Sequence, residues 1–429
     1  MERGLKYVIK GMKPLKGEIE VKGAKNAVLP ALACCLLARG EYQFKNVPRV
    51  RDVFCMLRIL EHLGGKYFFK GSELFVDTSH VSRVDIPYEL ASKIRASILF
   101  LGALTASTGE AIVPLPGGCA IGKRPVNFHE RGLKKLSAEI TLDHGNLIAK
   151  ASKLKGGEII LDFPSVTATE NLLMAASLAE GETKIKNAAK EPEVIFLAKM
   201  LKKMGAEIKG AGEDTILIKG KKHLKPVKME IISDRIEAGT FLILSALFPE
   251  NEIIIRNFPW EFLEYPLLKF REMGGTIEKF DKNTVKAKRS KNLYPLEIQT
   301  APYPGFPTDL QPIFAVLLTQ AQGLSTIREN LFENRFLYAM ELNRLGADIL
   351  IEEKTAFIKG PTPLTGSPVR ATDLRAGAAL VLAGLLAENT TVLYQAELVE
   401  RGYEDLPGRI NALGGEIKVE DELQLINRE

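Results

Sequence analysis

The chain has 429 residues, 46 % of them hydrophobic and 26 % charged, the balance of a soluble globular protein long enough for two or three domains. Its net charge of +5 suits anionic small ligands, and without a polybasic run or interleaved aromatics it excludes a dedicated nucleic-acid binder. The longest apolar stretch, Ala27 to Ala38, is too short to cross a bilayer and carries Pro30, and no apolar signal core opens the chain, so no membrane insertion and a cytoplasmic location are expected.

The first element after the N-terminal segment is "GAKNAVLPALACCLLARGE", a helix apolar almost all round and opened by Lys25. Five more of this kind follow: "KIRASILFLGALTASTGE", "TATENLLMAASLAEGET", "RIEAGTFLILSALFPENE", "TDLQPIFAVLLTQAQG" and "DLRAGAALVLAGLLAENT". Helices without a polar face are expected in a core. Their polar openings carry Lys25, Arg95, Arg235, Asp309 and Arg375, where free N–H groups and the helix dipole attract anions. The same positions also suit simple solvent-facing caps.

Between these helices a short phrase returns. Leu63-Gly64-Gly65, Leu136-Ser137-Ala138, Met204-Gly205-Ala206, Met273-Gly274-Gly275, Leu345-Gly346-Ala347 and Leu413-Gly414-Gly415 each end an amphipathic helix before a β-like run, at intervals of 68 to 73 residues. Glycine is expected just past a helix end, where φ is often positive. Six such phrases define a repeat. Each unit reads strand–helix–strand–helix–strand–strand, and a buried helix per unit implies globular α/β packing. With three units per domain, a cleft between two similar domains is the natural place for an anionic substrate.

Four cysteines in a chain this long make no disulfide framework, and the five histidines lie scattered without metal-ligand spacing. Cys34, Cys35 and Cys55 fall in helical patterns and read as small core hydrophobes. Cys119 differs. It lies in "PLPGGCAIGKRP", Pro114 to Pro125, which nearly spells a phosphate-binding P-loop. Arg124 stands where that loop needs a magnesium-binding hydroxyl, so a P-loop is rejected. Lys123 and Arg124 should lower the thiol's pKa, and Gly117, Gly118 and Gly122 give the loop freedom to move.

Nine stretches, in order, resemble the enolpyruvyl transferase family: "GAKNA", "IRAS", "LPGGCAIGKRPV", "PSVTATEN", "SDRIEAGTF", "FPTDLQ", "FENRF", "ATDLRA" and "ERGYE". The resemblance covers nearly the whole chain. It implies a two-domain inside-out α/β barrel of six βαβαββ repeats, three per domain. Residues 1–24 plus 233–429 would form one domain, completed by the N-terminal segment. Residues 25–232 would form the other and carry the Cys119 lid. The cysteine loop points away from the shikimate-specific branch. It implies instead transfer of the enolpyruvyl group of phosphoenolpyruvate to the 3′-hydroxyl of UDP-N-acetylglucosamine, with no metal and no cofactor. Intact Cys119, Asp309, Lys25 and Arg401 also argue against a non-catalytic relative that only binds nucleotide sugars.

By the same resemblance Cys119 is the general acid and Asp309 the candidate base near the 3′-hydroxyl. Lys25 and Asn26 contact phosphoenolpyruvate and sugar, and Arg124 and Arg401 clamp phosphate and carboxylate, a task suited to a planar, always-charged fork. Arg95, Arg335, Asp373 and Arg375 are supporting cleft positions. Uridine and diphosphate fall to Arg124, Pro125, Val126, Asn127 and Phe128, to Phe163, Pro164, Ser165 and Val166, and to Leu331. Two residues depart from the family's pattern: Asn127 replaces a usual aspartate, and Thr167 a usual glycine.

Overall fold

The computed structural model describes residues 4–117, 122 and 126–422; Gly118, Cys119, Lys123, Arg124 and Pro125 lie outside them. The chain divides into two compact units, with boundaries between Lys22 and Gly23 and between Ile232 and Ser233. Each unit has its own hydrophobic core.

The described residues form six sheets of one design. In the simplest, Lys16–Glu20 runs parallel to Glu252–Arg256, which pairs antiparallel with Val285–Arg289, which in turn pairs with Gly275–Lys279. Sheets around Glu41–Lys45, Glu182–Lys186 and Gly323–Arg328 repeat this order. The three-stranded sheet Glu110–Pro114, Asn146–Lys150, Glu139–Asp143 keeps a trace of the fourth strand as a parallel bridge from Asp85 to Ile112. In the last sheet, Leu5–Lys10 lies between Thr390–Tyr394 and Glu416–Asp421. The chain's first strand thus supplies the final strand of its last repeat.

Apolar residues on alternate positions turn these sheets inward onto buried helices. In residues 23–232 the helices Lys25–Cys34, Leu99–Thr108 and Val166–Ala176 pack on one another. In the other unit Gln311–Leu318 packs against both Arg235–Ser245 and Leu374–Leu386. Side chains such as Leu32, Phe100, Leu172, Phe241, Phe314 and Leu380 are fully buried, each contributing roughly 1.5–3 kcal/mol relative to exposure.

All six repeated phrases end a surface helix with a left-handed residue: Gly64, Ser137, Gly205, Gly274, Gly346 and Gly414 have φ of 107°, 69°, 116°, 104°, 98° and 95°. Ser137 alone adopts this conformation with a side chain, where glycine carries no penalty. A second repeat escapes a reading by glycine alone. Asn46, Asn187, Asn257 and Gln395 each follow the central strand of a sheet with positive φ, asparagine being tolerant of this region.

Candidate functional site

In residues 23–232 the polar groups collect at helix openings. Lys25 is the first residue of its helix and is buried, its Nζ donating to Asp52 Oδ2 at 2.9 Å. Asp52 lies in the first turn of the helix Arg51–His62, where an acidic group is favoured. The pair is sealed from water on both sides, so removing either partner strands a buried charge. Asn26 beside Lys25 is half-buried. Arg95 sits on a separate 3-10 turn, Arg95–Ile98, which leads into the Leu99 helix.

Past the cysteine loop, Val126 precedes the helix Asn127–Lys135; Asn127 is exposed and Phe128 half-buried. Its third residue, His129, is buried. Burial, aided by the charge of Arg95, lowers its pKa from 6.5 to about 3, so the ring is neutral. Asn171 Nδ2 meets His129 Nδ1 at 2.9 Å, and Thr167 Oγ1 lies 3.4 Å from Nε2. Ser165 caps the Val166–Ala176 helix, its hydroxyl accepting from the Ala168 N–H, with Phe163 44 % exposed just before it. Next to Asn171, Glu170 is buried, and burial together with Glu193 and Glu191 pushes its carboxyl well above the usual carboxylate range.

The unit containing residues 233–422 holds a different arrangement. Asp309, on the 3-10 turn Thr308–Leu310, is gripped by Arg335 Nη2 at 2.7 Å and Arg375 Nε at 3.1 Å. Arg335 also reaches Asp373 at 3.5 Å. Asp373 caps the Leu374 helix by accepting from the N–H groups of Arg375 and Ala376. Arg335 and Arg375 are almost fully buried. Burial opposes the Arg375 charge, but Tyr403, Asp309 and Asp234 hold the guanidinium protonated beyond arginine's ordinary range. The Arg375 guanidinium lies 5.3 Å from the centre of the Tyr403 ring, and Tyr403 is fixed in turn by the Thr240 hydroxyl at 2.8 Å. Asp234 caps the Arg235 helix. Arg401 closes the turn Ala396–Arg401 and is half-buried.

Buried Glu329 organises this region. Its carboxylate accepts from the hydroxyls of Thr300 and Thr308 and from the N–H groups of Leu331 and Phe332. One anion thereby ties the turn bearing Asp309 to the segment bearing Leu331 and Arg335, as four charge-assisted bonds can.

Asp309, Arg335, Asp373 and Arg375 form one network. Lys25 is ion-paired with Asp52, and Cys119, Arg124 and Pro125 fall outside the described residues. Asp52, His129, Glu170, Asn171, Asp234, Glu329 and Tyr403 were not singled out by the sequence; only "TATEN", "SDRIEAGTF" and "ERGYE" contain a signal for some of them. Among the described residues, no group of three or more His, Cys, Asp or Glu could hold a metal ion. No helix among them is long and apolar enough to cross a membrane.

The family model for EPSP synthase (3-phosphoshikimate 1-carboxyvinyltransferase) matches residues 9–410. The chain belongs to this family. Among its relatives, the UDP-N-acetylglucosamine 1-carboxyvinyltransferase of Geobacter metallireducens is 48 % identical over 96 % of this chain and 99 % of its own. UDP-N-acetylglucosamine 1-carboxyvinyltransferase 1 of Carboxydothermus hydrogenoformans is 49 % identical over 96 % and 98 %. The crystal structure of the enolpyruvyl transferase NikO from Streptomyces tendae superposes with a TM-score of 0.89 at 26 % identity, covering 98 % of this chain and 99 % of that one.

Proposed function

We propose that the chain transfers the enolpyruvyl group of phosphoenolpyruvate to the 3′-hydroxyl of UDP-N-acetylglucosamine, releasing phosphate. The reaction is the first committed step of peptidoglycan synthesis and takes place in the cytoplasm. The observation that carries this reading is near-full-length identity of 44 to 49 % to eight relatives named for that activity. The fold detail belongs to the same proposal: an inside-out barrel of three repeats per domain, residues 1–24 with 233–429 forming one and 25–232 the other.

The proposed chemistry is the one the family resemblance implies for these residues. Protonation of the enol CH₂ by Cys119 makes the neighbouring carbon electrophilic. The sugar hydroxyl adds to it, passing its proton to Asp309 and giving a tetrahedral ketal. Phosphate then leaves with the proton held by Asp309 as the Cys119 thiolate takes back a methyl proton, restoring the double bond. Asp309 offers a carboxylate held in place by two guanidiniums. That suits a hydroxyl adding to carbon already made cationic. Lys25, Arg124 and Arg401 supply fixed positive charge to the phosphate and carboxylate of phosphoenolpyruvate, an electrostatic contribution that needs no reorganisation during reaction. Asn26 joins Lys25 in contacting phosphoenolpyruvate and sugar, Arg95, Arg335, Asp373 and Arg375 support these groups, and the residues from Arg124 to Phe128, Phe163 to Val166 and Leu331 bind the nucleotide.

The test lies in the thiol. Cys34 and Cys35 are buried and burial raises both thiols well above their ordinary value, so they should ignore alkylators. The epoxide fosfomycin should modify Cys119, faster with UDP-N-acetylglucosamine present. Cys119→Asp should keep turnover, since a carboxylic acid can donate a proton, and lose that sensitivity. Full sensitivity in the variant would remove Cys119 as the alkylator's target.

A further inference from the structure

The hydrogen bonds around His129 run in one direction. The Gly102 N–H, in the first turn of the Leu99 helix, donates to Asn171 Oδ1 at 2.8 Å. A backbone N–H can only donate, which fixes the oxygen end of this amide. Asn171 Nδ2 is therefore the donor to His129 Nδ1. With Nδ1 accepting, the neutral ring carries its proton on Nε2, aimed at Thr167 Oγ1. The hydroxyl oxygen of Thr167 is thus an acceptor toward the ring, and its own hydrogen must turn elsewhere. Among the described residues nothing accepts it. Thr169, two residues on, behaves differently and donates back to Ser165 O at 2.8 Å. Thr167 is the second residue of its helix and half-exposed.

We propose that Thr167 determines nucleotide-sugar affinity, its hydroxyl donating to a phosphate oxygen of the diphosphate beside Ser165 and Val166. The relay Gly102–Asn171–His129 orients that hydroxyl before the ligand arrives, which lowers the ordering cost of binding. The proposal rests on the reaction inferred above, within which it assigns a role to the residue that departs from the family's glycine.

The discriminating experiment compares Thr167→Val and Thr167→Ser with the unmodified chain in steady-state turnover and in direct binding of UDP-N-acetylglucosamine and UDP. Thr167→Val, a near-isostere without the hydroxyl, should raise KM for the nucleotide sugar and Kd for UDP about tenfold or more, the size expected of a hydrogen bond to a charged group. KM for phosphoenolpyruvate and kcat at saturation should hold, and Thr167→Ser should behave like the parent. Unchanged or tighter UDP binding in Thr167→Val would overturn the proposal, the latter by showing that the side chain crowds the diphosphate. Parallel changes in both KM values and kcat would overturn it too, by showing a general distortion. If the parent chain neither binds the nucleotide sugar nor turns it over, the failure belongs to the proposed reaction instead.

Discussion

The two units place their polar residues by opposite means. In residues 233–422, Asp309, Arg335, Asp373 and Arg375 alternate in sign and hold one another, so that geometry is fixed by charge. In residues 23–232, one sealed ion pair, Lys25 with Asp52, stands beside a neutral histidine and a carboxyl biased toward its protonated form. That region is fixed by hydrogen bonds with a direction, Gly102 to Asn171 to His129. A charge network tolerates small displacements because Coulomb attraction falls slowly with distance. A directional relay does not, but it leaves donors aimed outward for a ligand. The contrast is the difference between a rigid anchor and a prepared receptor.

The comparison breaks most sharply at the acids. Asp309→Ala should lower kcat by roughly a hundred- to ten-thousandfold through loss of the proposed base. It should also destabilise the fold by about 1–3 kcal/mol, because Arg375 and Arg335 remain buried while Asp309 itself is partly exposed. Asp52→Ala leaves Lys25 charged and buried, and should cost about 3 kcal/mol in urea unfolding while raising KM for phosphoenolpyruvate. Equal, negligible losses in both variants would remove the distinction between network and sealed pair.

A smaller effect sharpens the comparison through pH. The folded pKa of His129, about 3, lies below its ordinary 6.5, so the unfolded chain binds the extra proton and stability falls as pH drops from 6.5 toward 3. Glu170 is opposite: its folded pKa is raised, so the folded chain keeps a proton that the unfolded chain has lost. Its stabilising contribution therefore fades as pH rises above 4.5. Glu170→Gln, permanently neutral, should raise stability at pH 8 by about 1–3 kcal/mol and have little effect at pH 4. Denaturation curves of the variant and parent at both pH values check the sign.

The smallest expected effects test the repeat. Ser137→Gly should stabilise by about 0.5–1 kcal/mol, since φ of 69° suits glycine. Gly414→Ala should cost about 1 kcal/mol from φ alone, because a Cβ there meets nothing. Gly64→Ala should cost more, its Cβ lying 2.7 Å from the His80 carbonyl oxygen. Calorimetric midpoints would rank the three.

The repeats were legible because each must solve the same local problem: ending a helix needs a left-handed residue, and glycine advertises it. The asparagine repeat after the strands was equally available in "KNV", "KNA" and "RNF", but asparagine has many structural uses and marks no single one. Partnerships such as Lys25 with Asp52, or Asn171 with His129, join residues 27 and 42 positions apart. Nothing local announces them, because tertiary packing alone decides which polar group a buried one meets. Lys25 reads in sequence as an available cation, and only the fold shows that Asp52 already balances it. His129 looked isolated among scattered histidines for the same reason.

Phosphate release from phosphoenolpyruvate, followed separately with UDP-N-acetylglucosamine and with shikimate 3-phosphate, tests the central claim most directly. Release with the nucleotide sugar alone is the predicted result. Release with shikimate 3-phosphate alone, or with neither, would contradict it.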